Sequence, residues 1–161
     1  MPVPWRQSST PTLIEDVADR GITIQQLLDL KVFLQSLCKT GLLRNTSEFS
    51  RSNGTYGQRI DWSSLNMYHI ADEIIKKAIP YLDPDGRDRF PPRLWYSWIE
   101  FISERAQRPM IMMSHSWSGR FRDFMEVIET LHAEKRLSMH FSIWVCTFAN
   151  CQFGEDFGRS L

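Results

Sequence analysis

The chain has 161 residues, 42% of them hydrophobic and 12% aromatic, which is enough apolar surface for a packed core and argues against a disordered chain. Nineteen Lys and Arg residues are matched by nineteen Asp and Glu, so no global field draws nucleic acid or an anionic membrane. No apolar run reaches the roughly eighteen residues a membrane-spanning helix needs, and three cysteines, Cys38, Cys146 and Cys151, are too few for a disulfide framework, which predicts free thiols and a cytoplasmic setting.

Residues 1–22 read as an extended arm. Pro2, Pro4 and Pro11 remove amide donors and bias their neighbours away from helix, and nothing around Trp5 has the apolar run of a signal peptide. The first helix is predicted from Thr23, where Thr-x-x-Gln to Gln26 forms a capping box, to Gly41, with Leu27, Leu30, Leu34, Leu37 and Cys38 on one core-facing side. Residues 45–59 have the Ser, Thr, Asn and Gly content of a surface loop turning at Asn53-Gly54. A second helix is expected from Asn66 to Pro80, burying Met67, Ile70, Ala71, Ile74 and Ala78.

The run from Asp83 to Arg89 has spaced acidic residues, but Gly86 stands too early for a calcium loop and Arg87 falls on a ligand position, so a charged turn is expected. A third helix is predicted after Pro91 and Pro92, with Leu94, Trp95, Trp98, Ile99 and Ile102 on one side, packing into the core. Together residues 23–108 make a helical region, and 109–161 a separate α/β unit.

That unit opens with Met110 to Ser114, an apolar run suited to a strand buried on both faces. An amphipathic helix follows, with Phe121, Phe124, Met125, Ile128 and Leu131 inward and an end near Arg136, and then a second strand from His140 to Ala149. Two strands joined by a helix predict a parallel pair in one sheet with a right-handed crossover. Cys146, inside the second strand, is expected to be buried and inert, and Cys151 structural; their odd spacing puts them on opposite faces and disfavours a shared metal, so none is expected.

Open α/β sheets bind ligands beyond the carboxyl ends of their strands. The candidates are therefore Ser114, His115, Ser116, Trp117, Ser118, Gly119 and Arg120 at one end, and Asn150, Cys151 and Gln152 at the other. The helix after Ser118 has free amides at its start, and Arg120 or Arg122 adds positive charge for a phosphate or carboxylate, although Ser116 and Ser118 read more readily as helix caps and His115 as a tie between loop and core.

Ser64 to Ile70 (SLNMYHI), Pro109 to Ser118 (PMIMMSHSWS) and Trp144 to Phe153 (WVCTFANCQF) resemble a family of dinoflagellate-type algal proteins with Ser-His-x-Trp and Phe-Ala-Asn-x-Gln strand ends. The Ser-His strand end before an amphipathic helix is also similar, more distantly, to the opening of a TIR domain. The second resemblance implies a flavodoxin-like parallel sheet, truncated here because such a domain needs four or five strands, and a non-enzymatic protein-interaction or signalling module with a protein partner or self-association and no cofactor. Its alternative implication is a nucleotide- or NAD-hydrolysing enzyme, although the catalytic glutamate of that family has no counterpart here. A structural subunit of a larger assembly is the third expectation. No nucleic-acid partner and no membrane insertion are expected.

Overall fold

The computed structural model describes residues 11–86 and 95–153. The expected capping box forms: Thr23 Oγ1 accepts from the Gln26 amide at 3.2 Å, and Gln26 Oε1 accepts from the Thr23 amide at 3.0 Å. Helix α1 (Ile24–Thr40) runs from it to Gly41, whose left-handed φ of 72° ends the helix as its amide donates to the Cys38 carbonyl. Leu27, Leu30, Leu34 and Cys38 are buried along it, each leucine contributing roughly 1.5–3 kcal/mol on removal from water.

The segment ahead of α1 departs from the expected arm. Residues 11–23 are packed against the core, and Ile22–Thr23 is a strand, β1. Arg20 explains the packing: its guanidinium, nearly fully buried, donates to the carbonyls of Ile14 and Ala149 and pairs with Glu100 at 3.4 Å. Glu100 is wholly buried and also accepts from the Ile14 and Ser97 amides. The prolines at positions 2 and 4 lie outside the described residues.

The polar segment 45–59 is also more structured than its composition predicts. It contains a short helix, α2 (Glu48–Ser52), capped by Ser47, followed by turns in which Gly54 and Gly57 have φ of 77° and 80°. Buried Glu73 holds it down. Its Oε1 accepts from the Thr46 and Ser47 amides at 2.6 and 2.9 Å, its Oε2 from the Thr46 hydroxyl at 2.8 Å, and Lys77 bonds to both Thr46 and Glu73. Burial pushes the Glu73 carboxyl up, but the bonds from Lys77 and Thr46 outweigh it and hold the group below its ordinary value.

The second helix starts where expected, at Asn66, and is built in three parts: α3 (Met67–His69), a π-helical stretch Ile70–Ile75, and α4 (Lys76–Leu82). Pro80 sits inside α4 and does not end it. A proline in the last turn forfeits one hydrogen bond, and the burial of neighbouring Ile79 keeps the turn in place. At residues 83–86 the chain turns, but Asp83 is no solvated charge: it is buried and accepts from the Tyr96 hydroxyl at 2.6 Å. The rest of the Asp83 to Arg89 run, with Pro91, Pro92 and Leu94, lies outside the described residues.

Helix α5 (Trp98–Ile102) starts later than the prolines predict, because Ser97 and Glu100 form a capping box there, and Trp95 precedes it in non-helical backbone. Strand β2 (Ile111–Met112), helix α6 (Phe121–Lys135) and strand β3 (Ser142–Trp144) then give the expected strand, helix, strand unit, with β2 parallel to β3 in the register Ile111↔Ile143. Both strands are shorter than expected. Residues Cys146–Ala149 form a helical turn, α7, so β3 ends at Trp144 despite the β propensity of Val145 and Thr147. Strand β2 is not buried on both faces: Met110 is 71% exposed and Met112 68%.

The fold is mixed helix and strand around a three-stranded sheet of order β1-β3-β2. The third strand is the unexpected β1, antiparallel to β3 with Ile22 opposite Ile143, so the sheet is mixed and β2 is an edge. One hydrophobic cluster runs from Ile14 and α1 through Ile70, Trp98 and Phe121 to Phe148, which makes Trp98 a core residue. Among the described residues no helix is long and apolar enough to cross a membrane.

Candidate functional site

The carboxyl end of β2 leads into a loop, residues 113–120, that is clamped to the start of the second helix. The Met67 amide donates to the Trp117 carbonyl at 3.2 Å and the Phe121 amide to the Leu65 carbonyl at 2.7 Å. Between loop, α3 and α6 lies a crevice of about 350 Å³ lined by Ser114, His115, Ser116, Gly119 and Arg120, with Met67, Met113, Phe124 and Val127 as its apolar wall. Five of the sequence candidates thus come together.

The charge and capping expected around the crevice are arranged differently. Arg120 is the residue preceding α6 and makes no side-chain cap; its guanidinium pairs with Asp123 at 2.8 Å, and Arg122 approaches the same carboxylate at 3.5 Å. Asp123 therefore offsets the positive charge that would hold an anion, and the Phe121 amide is already bonded to Leu65. Ser116 and Ser118 do not cap α6 either; their hydroxyls lie 3.2 Å from each other. Trp117 is half-buried and continues an aromatic row, 5.2 Å from Tyr68, which stacks on Phe49 at 6.3 Å. Phe49 is 65% exposed and Tyr68 47%.

At the other strand end, Gln152 is buried and serves the fold, its amide donating to the Thr147 carbonyl at 2.9 Å and so closing the end of α7. Cys151 is half-buried with its thiol 3.7 Å from the Phe153 carbonyl. Asn150 has a buried Oδ1 with no hydrogen-bond partner among the described residues.

His115 joins the two ends. Its ring lies between Trp117 and Phe124, at 5.8 and 6.0 Å, and its Nε2 is 2.9 Å from the Thr147 hydroxyl and 3.8 Å from the Cys146 sulfur. The tie between loop and core is thus present, and it brings in Cys146 and Thr147, which the composition of residues 140–149 predicts to lie in a strand. Because the chain turns helical after Trp144, Cys146 opens α7 and is only half-buried. No sequence signal marks the turn, because β-branched Val145 and Thr147 continue the strand pattern past Trp144. Burial lowers the His115 imidazole and raises the Cys146 thiol, so both are neutral near pH 7. His115 Nδ1 is buried without a partner among the described residues, which contain no cluster of three or more His, Cys, Asp or Glu able to hold a metal.

Comparison with protein-family models, with curated proteins and with solved structures finds no match for this chain.

Proposed function

We propose that the chain is a non-enzymatic protein-interaction module of TIR-like, flavodoxin-like type, acting in the cytoplasm and docking through the aromatic row beside the crevice. The observation that carries this reading is the exposure of Phe49 and Tyr68 in line with Trp117 on a clamped loop. Aromatic side chains of this kind present large contact area at low entropic cost and anchor protein interfaces. The algal resemblance of the strand ends accompanies the proposal but supplies no activity. In a pull-down paired with light scattering over a concentration series, the wild type should retain a partner or self-associate, and the Phe49→Ala, Tyr68→Ala double variant should lose it by about 2 kcal/mol or more. A folded monomer that retains nothing would end this reading.

A nucleotide- or NAD-hydrolysing enzyme is a second reading, favoured by the unpartnered Asn150 Oδ1 beyond the strand ends. Incubation with NAD that gives neither turnover nor a thermal shift would remove it. A structural subunit completing its sheet through the β2 edge is a third, supported by the exposure of Met110 and Met112.

A further inference from the structure

We infer that the pocket between residues 45–59 and the second helix is a binding site for a neutral saccharide. The inference goes beyond the docking reading and shares with it only Phe49 and Tyr68.

The pocket encloses about 310 Å³, within the range of about 300–1,000 Å³ typical of small-molecule sites. Its walls are held in place before any ligand arrives. One is the segment that buried Glu73 pins through the Thr46 and Ser47 amides. That segment also closes on itself, the Asn45 amide donating to the Gln58 carbonyl at 2.9 Å and the Gly57 amide to the Asn45 carbonyl at 2.7 Å. The other wall is the start of the second helix, where the π-helical stretch Ile70–Ile75 brings Asp72 and Glu73 to the pocket. Such backbone is rare and concentrated at functional sites. A site fixed in this way loses little entropy on binding.

The lining matches a hydroxylated, uncharged ligand. Among the described residues the side-chain amides of Asn45 and Gln58 make no hydrogen bond, and those of Asn53 and Asn66 use only their oxygens, leaving their nitrogens to donate. Asp72 bonds to Lys76 through Oδ1, which leaves Oδ2 to accept from a hydroxyl. So many donors and acceptors in so small a space suit a molecule with a hydroxyl on nearly every carbon. The charges of the lining are already answered: Arg59 pairs with Asp61, Asp72 with Lys76 and Glu73 with Lys77, so neither a phosphate nor an ammonium group finds a free countercharge. Phe49 and Tyr68 give the pocket an aromatic side, and the negative face of an aromatic ring attracts the C–H face of a sugar.

The test is saturation-transfer NMR on the full chain with the methyl pyranosides of glucose, galactose, mannose and N-acetylglucosamine, followed by titration of whichever binds. At least one should receive magnetisation from the protein, most strongly at its ring C–H protons. The 6-phosphate of the bound sugar and its 6-amino-6-deoxy derivative should bind no more tightly than the neutral form. The Asn45→Ala, Gln58→Ala double variant should bind about tenfold or more weakly, and Phe49→Ala should lose a similar factor. Neither amide holds the fold through its side chain, so the double variant should melt with the wild type. No transfer to any of these pyranosides, tighter binding of either charged derivative, or unchanged affinity in the double variant would overturn the proposal. The wild-type comparisons decide it even if a variant fails to fold. No partner protein enters the assay, so absent sugar binding with partner capture intact ends this proposal alone, and sugar binding by a monomer that captures nothing ends only the docking reading.

Discussion

Arg20 carries a guanidinium into a place with almost no water, and it is tolerated because each nearby acceptor is fixed: the Ile14 and Ala149 carbonyls and the Glu100 carboxylate. Replacing it with Met would keep much of the volume and leave Glu100 buried without this countercharge. Removing one partner of such a pair costs about 3–5 kcal/mol, far more than the pair itself contributes. Urea denaturation of Arg20→Met should show a loss of that order; a loss under about 1 kcal/mol would mean that water reaches Glu100. Neither this anchor nor Glu73 under residues 46 and 47 was legible in the sequence. Arg20 and Glu100 are far apart in the chain, as are Thr46 and Glu73, and no periodicity links a buried charge to a distant acceptor.

The elements that could be read were those specified within a few residues of themselves. Helix α1 is bounded by its Thr23 box and by Gly41, and α6 by an apolar stripe, so both were found. Strand β1 was not, because two residues abutting a helix cap have no alternation to read, and β3 was overextended because β-branched and aromatic residues continue past the point where tertiary packing turns the chain. The candidate site shared this fate: the strand-end rule found the loop at 114–120, while Cys146 and Thr147 were hidden by the false strand. Strand β1 depends on Gly21. A Cβ there would lie 2.0 Å from Ser142 Oγ and 2.5 Å from the Gln107 carbonyl oxygen, which is backbone and cannot yield. Gly21→Ala should therefore push β1 away from β3 and cost about 1–3 kcal/mol, with amide exchange at Ile22 and Ile143 rising more than in α6. Protection unchanged at both positions would contradict it.

For the molecule as a whole, pH acts in one direction on the acid side of neutrality. Burial holds His69 and His115 below the ordinary histidine value of 6.5; nearby Glu73 and Asp72 oppose the shift at His69 without reversing it. The unfolded chain then takes up protons first as pH falls, so the stability these two groups contribute is complete above about pH 6.5 and declines as pH drops through the folded values. Glu73, held below 4.5, adds a second decline at lower pH, again because the unfolded state binds its proton first. At His69 protonation also breaks a bond, since Nδ1 accepts from the Asn66 amide at 3.2 Å. His69→Gln preserves that acceptor without titrating. Thermal melts at successive pH values should show a shallower first decline in this variant, and parallel curves for the two proteins would assign that decline elsewhere.

The place of β3 at the centre of the sheet has a consequence for the order in which the molecule can be assembled. Strands β1 and β2 never touch through their ladders; each waits for β3, which follows both in the chain. A ribosome making the protein vectorially exposes α1 and its leucines long before Ile143 emerges to meet Ile22. Closing so large a loop is entropically costly and slow. The early helices must meanwhile shelter their apolar faces in provisional contacts or with a chaperone, and β3, made after its two neighbours, is the strand that commits the sheet to its native topology.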